Sequence, residues 1–353
     1  MQYLDTLHVA GLTTQELAAV LGKMGWPPFR AEQVFQWIHR RAVSGFREMH
    51  NVPKEIIQYL EERYTSPAAC RAVVKRFSSD GTVKYLFELF DHSTVEAVYI
   101  PEEDRGTLCL SVQVGCAMNC SFCATGKSGF VRNLSRAEIV SQVNAVRGSL
   151  PPDAPILTNI VFMGMGEPFA NFTEVMAAVA LLQSRSGMGL GQRRLTISTC
   201  GLVPEIRRFA DLKTQVNLAV SLHAPDNERR SQIMPINRRY PIEELLAACR
   251  YYIAQTNRRI SFEYALIDGF NDSPQDARML AWLLRDMLCH VNLIPANPVE
   301  GVRRPDREKV ERFLEVLERE GVPATIRKER GTDIEAACGQ LRQVHHREGG
   351  GRE

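Results

Sequence analysis

From Leu108 onward the sequence alternates short apolar runs with stretches of helical periodicity, and this alternation limits the folds open to the chain. Strand candidates are Leu108 to Val114, Ile156 to Met163, Arg194 to Ser198, Val216 to Leu222, Ile260 to Ile267 and His290 to Pro295. Helical stretches lie between them; Ser135 with Glu138 makes a capping-box pattern ahead of Ile139, Val140, Val143 and Val146. Parallel strands need crossover connections, so six βα units predict an α/β protein with a parallel sheet curved into a partial (β/α)6 barrel. In such folds the active-site groups stand on loops at the C-terminal ends of the strands. Upstream, Val83 to Phe90 and Val95 to Ile100 flank the turn Asp91-His92-Ser93 and predict a short β extension.

The first part of the chain reads as a small helical accessory domain. Thr13 and Glu16 form a capping box before Leu17, Val20 and Leu21; Ala31, Val34, Phe35 and Ile38 recur at helical spacing after Pro27-Pro28; Pro53 can start a helix carrying Ile56, Ile57 and Leu60. The expected organisation is an accessory domain over 1–80, a core with its β extension over 81–345, and a flexible tail over 346–353.

The 353 residues are 44% apolar and 24% charged, as in an ordinary globular protein that buries its core without disulfides. A net charge of +2 does not announce a nucleic-acid binder, so any basic surface must come from clusters such as Arg193-Arg194, Arg229-Arg230 or Arg258-Arg259. Taken singly, each pair reads as solvated surface. The start lacks a basic and then apolar leader, and no apolar run approaches the ~20 residues of a membrane span, so a cytoplasmic protein without a membrane partner is expected. Nine cysteines, an odd number, argue against a disulfide framework and direct attention to their spacing.

Cys116-Ala-Met-Asn-Cys120-Ser-Phe-Cys123 follows the first predicted barrel strand. Three thiolates suit three irons of a cubane cluster and leave the fourth iron open to a small molecule. A zinc site would call for paired ligands and a fourth His or Cys, and neither His92 nor Cys109 extends the loop. Further polar or glycine residues fall at strand ends: Gly164-Met165-Gly166-Glu167-Pro168 after the second, Ser198 at the third, Ser221-Leu222-His223 at the fourth and Asn297 after the sixth. Glycines permit close backbone approach to a ligand, and Glu167 can accept hydrogen bonds from an ammonium group.

The loop C-x3-C-x-aromatic-C resembles the signature of the radical S-adenosylmethionine superfamily. The resemblance implies one [4Fe–4S] cluster on Cys116, Cys120 and Cys123, whose open iron chelates S-adenosylmethionine and whose electron cleaves it to a 5′-deoxyadenosyl radical. Phe122, Gly166, Glu167, Ser198, Ser221, Leu222, His223 and Asn297 match positions that bind this cofactor. A narrower resemblance runs nearly end to end, to the adenine-C2 methyltransferases of 23S ribosomal RNA and certain tRNAs. It is carried by Phe29 to Phe35, Val95 to Pro101, Gly126 to Phe130 and Gly331 to Leu341.

That family's chemistry, carried over, gives the following expectation. C2 of adenine is electron-poor and does not attack a methylsulfonium directly. Cys338 therefore takes a methyl from one S-adenosylmethionine, and the radical from a second removes a hydrogen from it, two cofactor molecules per turnover. The sulfur-bound CH2 radical adds to C2, and loss of an electron and of a proton, which Glu96 accepts, restores the ring. Cys109 then attacks the sulfur of Cys338, forming a disulfide and freeing the base. The resemblance also implies an electron donor such as flavodoxin or ferredoxin and a monomeric enzyme. A lone strand cysteine such as Cys109 is otherwise a small buried hydrophobe, and Cys338 between Ala337 and Gly339 fits close packing. Cys70, Cys200, Cys249 and Cys289 are assigned no function.

Two alternatives stand beside this reading: the sibling family that methylates adenine at C8, and a non-catalytic iron–sulfur protein that binds RNA or carries electrons. An adenine in folded RNA must be unstacked to reach the site, which makes the basic pairs and the N-terminal unit candidate RNA surfaces.

Overall fold

The computed structural model describes residues 8–64, 66–297, 302–336 and 339–341. Cys338 and the segment 346–353 lie outside these residues. Three helices open the chain, α1 (Thr14–Gly22), α2 (Pro28–His39) and α3 (Lys54–Arg63). The capping box at α1 is formed: Thr13 Oγ1 accepts from the Glu16 amide at 3.2 Å, and Glu16 Oε2 accepts from the Thr13 amide at 2.7 Å. Of the apolar stripes read from the sequence, Leu17, Leu21, Ala31, Val34, Phe35, Ile38, Ile56 and Leu60 are buried, while Val20 and Ile57 are half-buried.

Next come β1 (Cys70–Phe77), β2 (Val83–Leu89), β3 (Thr94–Pro101), β4 (Gly106–Cys109), β5 (Gln113–Gly115), the short α4 (Ala124–Lys127) and β6 (Phe130–Asn133). Helices and strands then alternate as α5 (Arg136–Arg147), β7 (Leu157–Phe162), α6 (Phe172–Gln183), β8 (Leu195–Thr199), α7 (Val203–Asp211) and β9 (Asn217–Ser221). They continue through α8 (Asn227–Ile233), α9 (Ile242–Thr256), β10 (Ile260–Leu266), α10 (Pro274–Leu284), β11 (Cys289–Pro295), α11 (Arg307–Arg319) and β12 (Ala324–Ile326). Ten strands form one sheet in the order β1-β2-β3-β4-β7-β8-β9-β10-β11-β12. Neighbours from β1 to β4 are antiparallel, and from β4 to β12 all are parallel. This is the expected βα series with its antiparallel extension. No described helix is long and apolar enough to cross a membrane.

Four strands differ from the expectation, among them β6, which no predicted strand anticipates. β1 and β12 have no counterpart in the predicted elements, and the first barrel strand, read as Leu108 to Val114, is broken. It leaves the large sheet after Cys109, and Gln113–Gly115 pairs instead with β6. The break has a tertiary cause. Gln142 on α5 takes the place of a strand partner, its Oε1 accepting from the Ser111 amide at 3.2 Å and its Nε2 donating to the Ser111 carbonyl at 3.0 Å. The Ser111 backbone thus keeps its partners away from the ladder, as burial demands.

α5 also docks the N-terminal helices. Arg147 donates to the carbonyls of His39 and Arg40 at 2.7 and 2.9 Å, and Arg136 pairs with Glu16 at 2.9 Å. His39 is buried against Phe35, and burial, with a smaller contribution from the Arg147 charge, lowers its pKa to about 3. The folded chain thus keeps His39 neutral while the unfolded chain protonates it below 6.5. Its contribution to stability is complete above the unfolded value and is lost as pH falls toward about 3. A His39→Leu variant should therefore flatten the acid side of a urea-denaturation series by up to about 1.4 kcal/mol per pH unit. An unchanged slope would show that His39 is not the responsible group.

Candidate active site

The cysteine loop is shaped by its flanks. Gly115 has φ of +73°, and a Cβ there would lie 1.9 Å from the Gly129 carbonyl oxygen, so only glycine fits between the loop and β6. The Cys116 amide donates to that same carbonyl at 2.7 Å, and the Ser121 amide donates to the Ile233 carbonyl at 3.0 Å. The loop is thereby fixed at both ends over the C-terminal ends of the parallel strands.

Cys116, Cys120 and Cys123 all face one cleft. Among the described residues no three His, Cys, Asp or Glu side chains converge closely enough to share one ion. A cubane gives each thiolate its own iron. Burial, ahead of weaker electrostatic effects, pushes Cys116 up to about 11, and Cys120 is raised by the same cause. Thiols this reluctant to ionise become ligands when iron supplies the compensating charge. The donor set thus fits the cluster.

The same cleft is lined by Phe122, Gly166, Glu167, Ser198, Ser221, His223 and Asn297. Leu222 is fully buried and does not line it; its amide donates to the Glu263 carbonyl at 3.0 Å. Glu167 is a buried carboxylate that accepts from the amides of Phe169 at 3.0 Å and Cys200 at 2.8 Å; burial raises its pKa against these bonds. The glycines beside it act within the protein. A Cβ at Gly164 would meet the Leu110 carbonyl at 2.5 Å, and one at Gly166 would meet Gln113 Cβ at the same distance. His223 lies edge-on to Phe122 with centroids 4.7 Å apart. Burial, reinforced by Arg230, lowers its pKa to about 3. Its Nδ1 accepts from the Ala265 amide at 2.9 Å, so the neutral ring carries its proton on Nε2.

Cys109 ends β4 and lines a second cavity with Val98, Ile100, Ala336 and Leu341. Met163, Ile294, Asn297 and Arg327 form walls common to this cavity and the cysteine cleft, so the two adjoin. Cys338 lies outside the described residues, but the chain on either side of it is anchored. Asp333 accepts from Ser78 Oγ at 2.6 Å and the Ser79 amide at 3.0 Å, and the Gly339 and Leu341 carbonyls accept from the Ala124 amide and Thr125 Oγ1, each at 2.7 Å. Glu96 stands on β3 apart from the cleft lining, buried and 3.2 Å from Lys84 Nζ, which also donates to the Glu335 carbonyl at 3.1 Å.

Three features escape a reading of the sequence. Glu263, a cleft carboxylate held by Asn292 Nδ2 at 2.8 Å, interrupts the apolar run of β10 and is open to notice as a charge in a buried strand. Arg327 also lines the cleft, although beside Lys328 it reads as half of a surface pair. Arg230 likewise reads as surface charge, yet its side chain is fully buried. It donates to the carbonyls of Cys200, Ser221 and Leu222 at 2.7, 3.1 and 3.1 Å and to Asn237 Oδ1 at 2.9 Å. The guanidinium therefore ties the ends of β8 and β9 together beneath the cleft. Arg230→Met leaves these acceptors without their donor and should lower the unfolding free energy by about 3 kcal/mol, read by urea denaturation. A change within about 0.5 kcal/mol would contradict this fastening role.

The barrel and the three-cysteine loop define a radical S-adenosylmethionine enzyme, and residues 110–281 match the Radical SAM superfamily. Residues 7–65 match the Ribosomal RNA large subunit methyltransferase N-terminal domain. A probable dual-specificity RNA methyltransferase RlmN of Heliobacterium modesticaldum is 49% identical, the alignment covering 94% of this chain and 88% of the relative. The dual-specificity RNA methyltransferase RlmN of Halorhodospira halophila is also 49% identical, over 95% of this chain and 93% of its own. The crystal structure of a radical SAM methyltransferase from Sphaerobacter thermophilus superposes with a TM-score of 0.92 at 48% identity, covering 95% of this chain and 99% of the other. The chain belongs to the RlmN family of dual-specificity RNA methyltransferases.

Proposed function

We propose that this enzyme methylates C2 of a specific adenine in 23S ribosomal RNA and of an adenine beside the anticodon in some tRNAs. The observation that carries the reading is the junction of the cysteine cleft with the Cys109 cavity through Met163, Ile294, Asn297 and Arg327. It sets a thiol beside the cofactor site, which plain cofactor cleavage does not need and a cysteine-borne methyl does.

Cys116, Cys120 and Cys123 would hold the [4Fe–4S] cluster, and Phe122, Gly166, Glu167, Ser198, Ser221, His223 and Asn297 would hold S-adenosylmethionine, with Leu222 packed behind them. When bound, the cluster and cofactor supply the 5′-deoxyadenosyl radical, and a second S-adenosylmethionine supplies the methyl group in each turnover. The chain's own residues do the rest. Glu167, already fixed by two backbone amides, offers a preorganised acceptor to the cofactor's ammonium group. Neutral His223 offers Nε2–H as a donor without adding charge to the cleft. Cys338 carries the methyl group to the base, Glu96 takes up the proton that leaves together with one electron as the ring is restored, and the Cys109 thiolate attacks the sulfur of Cys338 to release the product with a disulfide left behind. Lys84, 3.2 Å from Glu96, stands beside that carboxylate as its countercharge. The enzyme would act in the cytoplasm as a monomer, reduced by a flavodoxin or ferredoxin.

Position is the test. Methylated RNA digested to nucleosides and run in a mass spectrometer against authentic standards should give 2-methyladenosine. An 8-methyladenosine signal would assign the enzyme to the sibling chemistry instead.

A further inference from the structure

The barrel has a second mouth. Positions two residues apart on a strand share a face, so the inner face that carries Cys109, Ser198 and Glu263 continues downward to Thr107, Thr196 and Ser261. These lower positions line two hollows that share Thr196 and Asn217, and their rim is formed by Arg105, Arg193, Arg194, Arg258 and Arg259. Arg105 pairs with Glu102. Among the described residues the other four have no carboxylate within ion-pair distance.

Neutral amides hold three of them. Gln215 Oε1 accepts from both Arg258 Nη1 at 2.9 Å and Arg193 Nη2 at 3.4 Å, while Asn217 Oδ1 accepts from Arg258 Nη2 at 2.5 Å. Asn159 Oδ1 accepts from Arg194 Nη1 at 3.4 Å. Two guanidiniums that share one oxygen are within a few ångströms of each other with neither charge neutralised. Such repulsion is relieved by an anion, and the planar fork of arginine matches phosphate oxygens.

We infer that this groove binds the sugar–phosphate backbone of the RNA substrate at a point remote from the methylated base. The inference rests on the RNA-methyltransferase reading. The hollows cross β4, β7, β8, β9 and β10, and strands about 4.8 Å apart make that a span of roughly 19 Å. This length suits successive phosphates, at about 3.4 Å of rise per nucleotide, rather than one small anion. The groove opens at the mouth opposite the cleft, so only an RNA long enough to pass around the barrel reaches both, and a minimal stem–loop occupies the cleft alone.

The test compares wild-type holoenzyme with the double variant Arg194→Gln, Arg259→Gln, whose two side chains are exposed. A long 23S rRNA fragment should bind the variant about 10-fold more weakly at low salt, with the salt dependence of log K shallower by about 0.9 for each phosphate that is no longer neutralised. Methylation of the minimal stem–loop should stay at the wild-type rate. Unchanged affinity and salt slope on the long RNA would overturn the inference. So would loss of stem–loop methylation in the variant, since the arginines would then act on the fold or the cleft. Inorganic pyrophosphate serves as the small-anion probe: protection of the wild type but not the variant against heat, with RNA binding unaffected, would overturn the assignment to RNA. Should the wild type methylate neither RNA, the underlying reading fails, while the binding comparison still decides the groove.

Discussion

Cys338→Ala should abolish RNA methylation, to below about one thousandth of the wild-type rate, while leaving iron content and cluster absorbance unchanged. The size of the effect follows from the chemistry of the acceptor. C2 lies between two ring nitrogens and does not attack a methylsulfonium, so without a sulfur carrier no one-carbon unit reaches the base. A residue that only packed between Ala337 and Gly339 would tolerate alanine with little loss. The readout is therefore methyl transfer from labelled S-adenosylmethionine to RNA, measured beside the cluster's absorbance. Methylation within a few-fold of wild type would exclude Cys338 as the carrier.

Cys109→Ala should arrest a later step. The first bond between protein and RNA still forms, but the thiol that breaks it is gone, so protein covalently attached to RNA accumulates and free methylated product falls by about 100-fold or more. Cys109 is buried at the end of β4, in a cavity that adjoins the cleft, and alanine there removes one sulfur from a small space. The fold should survive, and the adduct should run on a denaturing gel as a nuclease-sensitive band. Free product at the wild-type rate with no such band would mean that Cys109 only packs. The pair is separable: the Cys338 variant shows no adduct, and the Cys109 variant shows adduct without release.

Much of the architecture is legible in the sequence because it depends on short-range pattern. The βα series follows from apolar runs flanked by helical periodicity, and the capping boxes at Thr13 and Ser135 form where their spacing indicates. The cysteine loop is legible for the same reason, since its chemistry is written within eight consecutive residues, from Cys116 to Cys123. Edge strands are not. β1 carries Arg71, Lys75 and Arg76 and leaves most of its residues exposed, as an edge strand that resists unwanted pairing does, and so lacks the apolar run by which strands are recognised. β12 has three residues and gives no periodicity at all.

The break after Cys109 depends on Gln142, thirty-one residues away from Ser111, and no local pattern reports it. Arg230 is a more instructive case. Beside Arg229 it reads as a surface pair, but Arg229 is held by Asp226 and Asp276 while Arg230 turns inward to the carbonyl ends of two strands. The burial of a charge is decided by the acceptors that converge on it, and those come from three separate parts of the chain. The two glycines near Glu167 show the converse: their type is informative, but the close approach they permit is to Leu110 and Gln113.

In the proposed function Cys116, Cys120 and Cys123 hold a cluster whose chemistry is spent on RNA. Anaerobic assay of reconstituted protein with dithionite, labelled S-adenosylmethionine and 23S rRNA fragments tests it most directly, scoring 5′-deoxyadenosine and methyladenine in the same reaction. Both products are expected from the wild type, and neither when any one of the three cysteines is replaced by alanine. Neither product from protein with a verified intact cluster would contradict it.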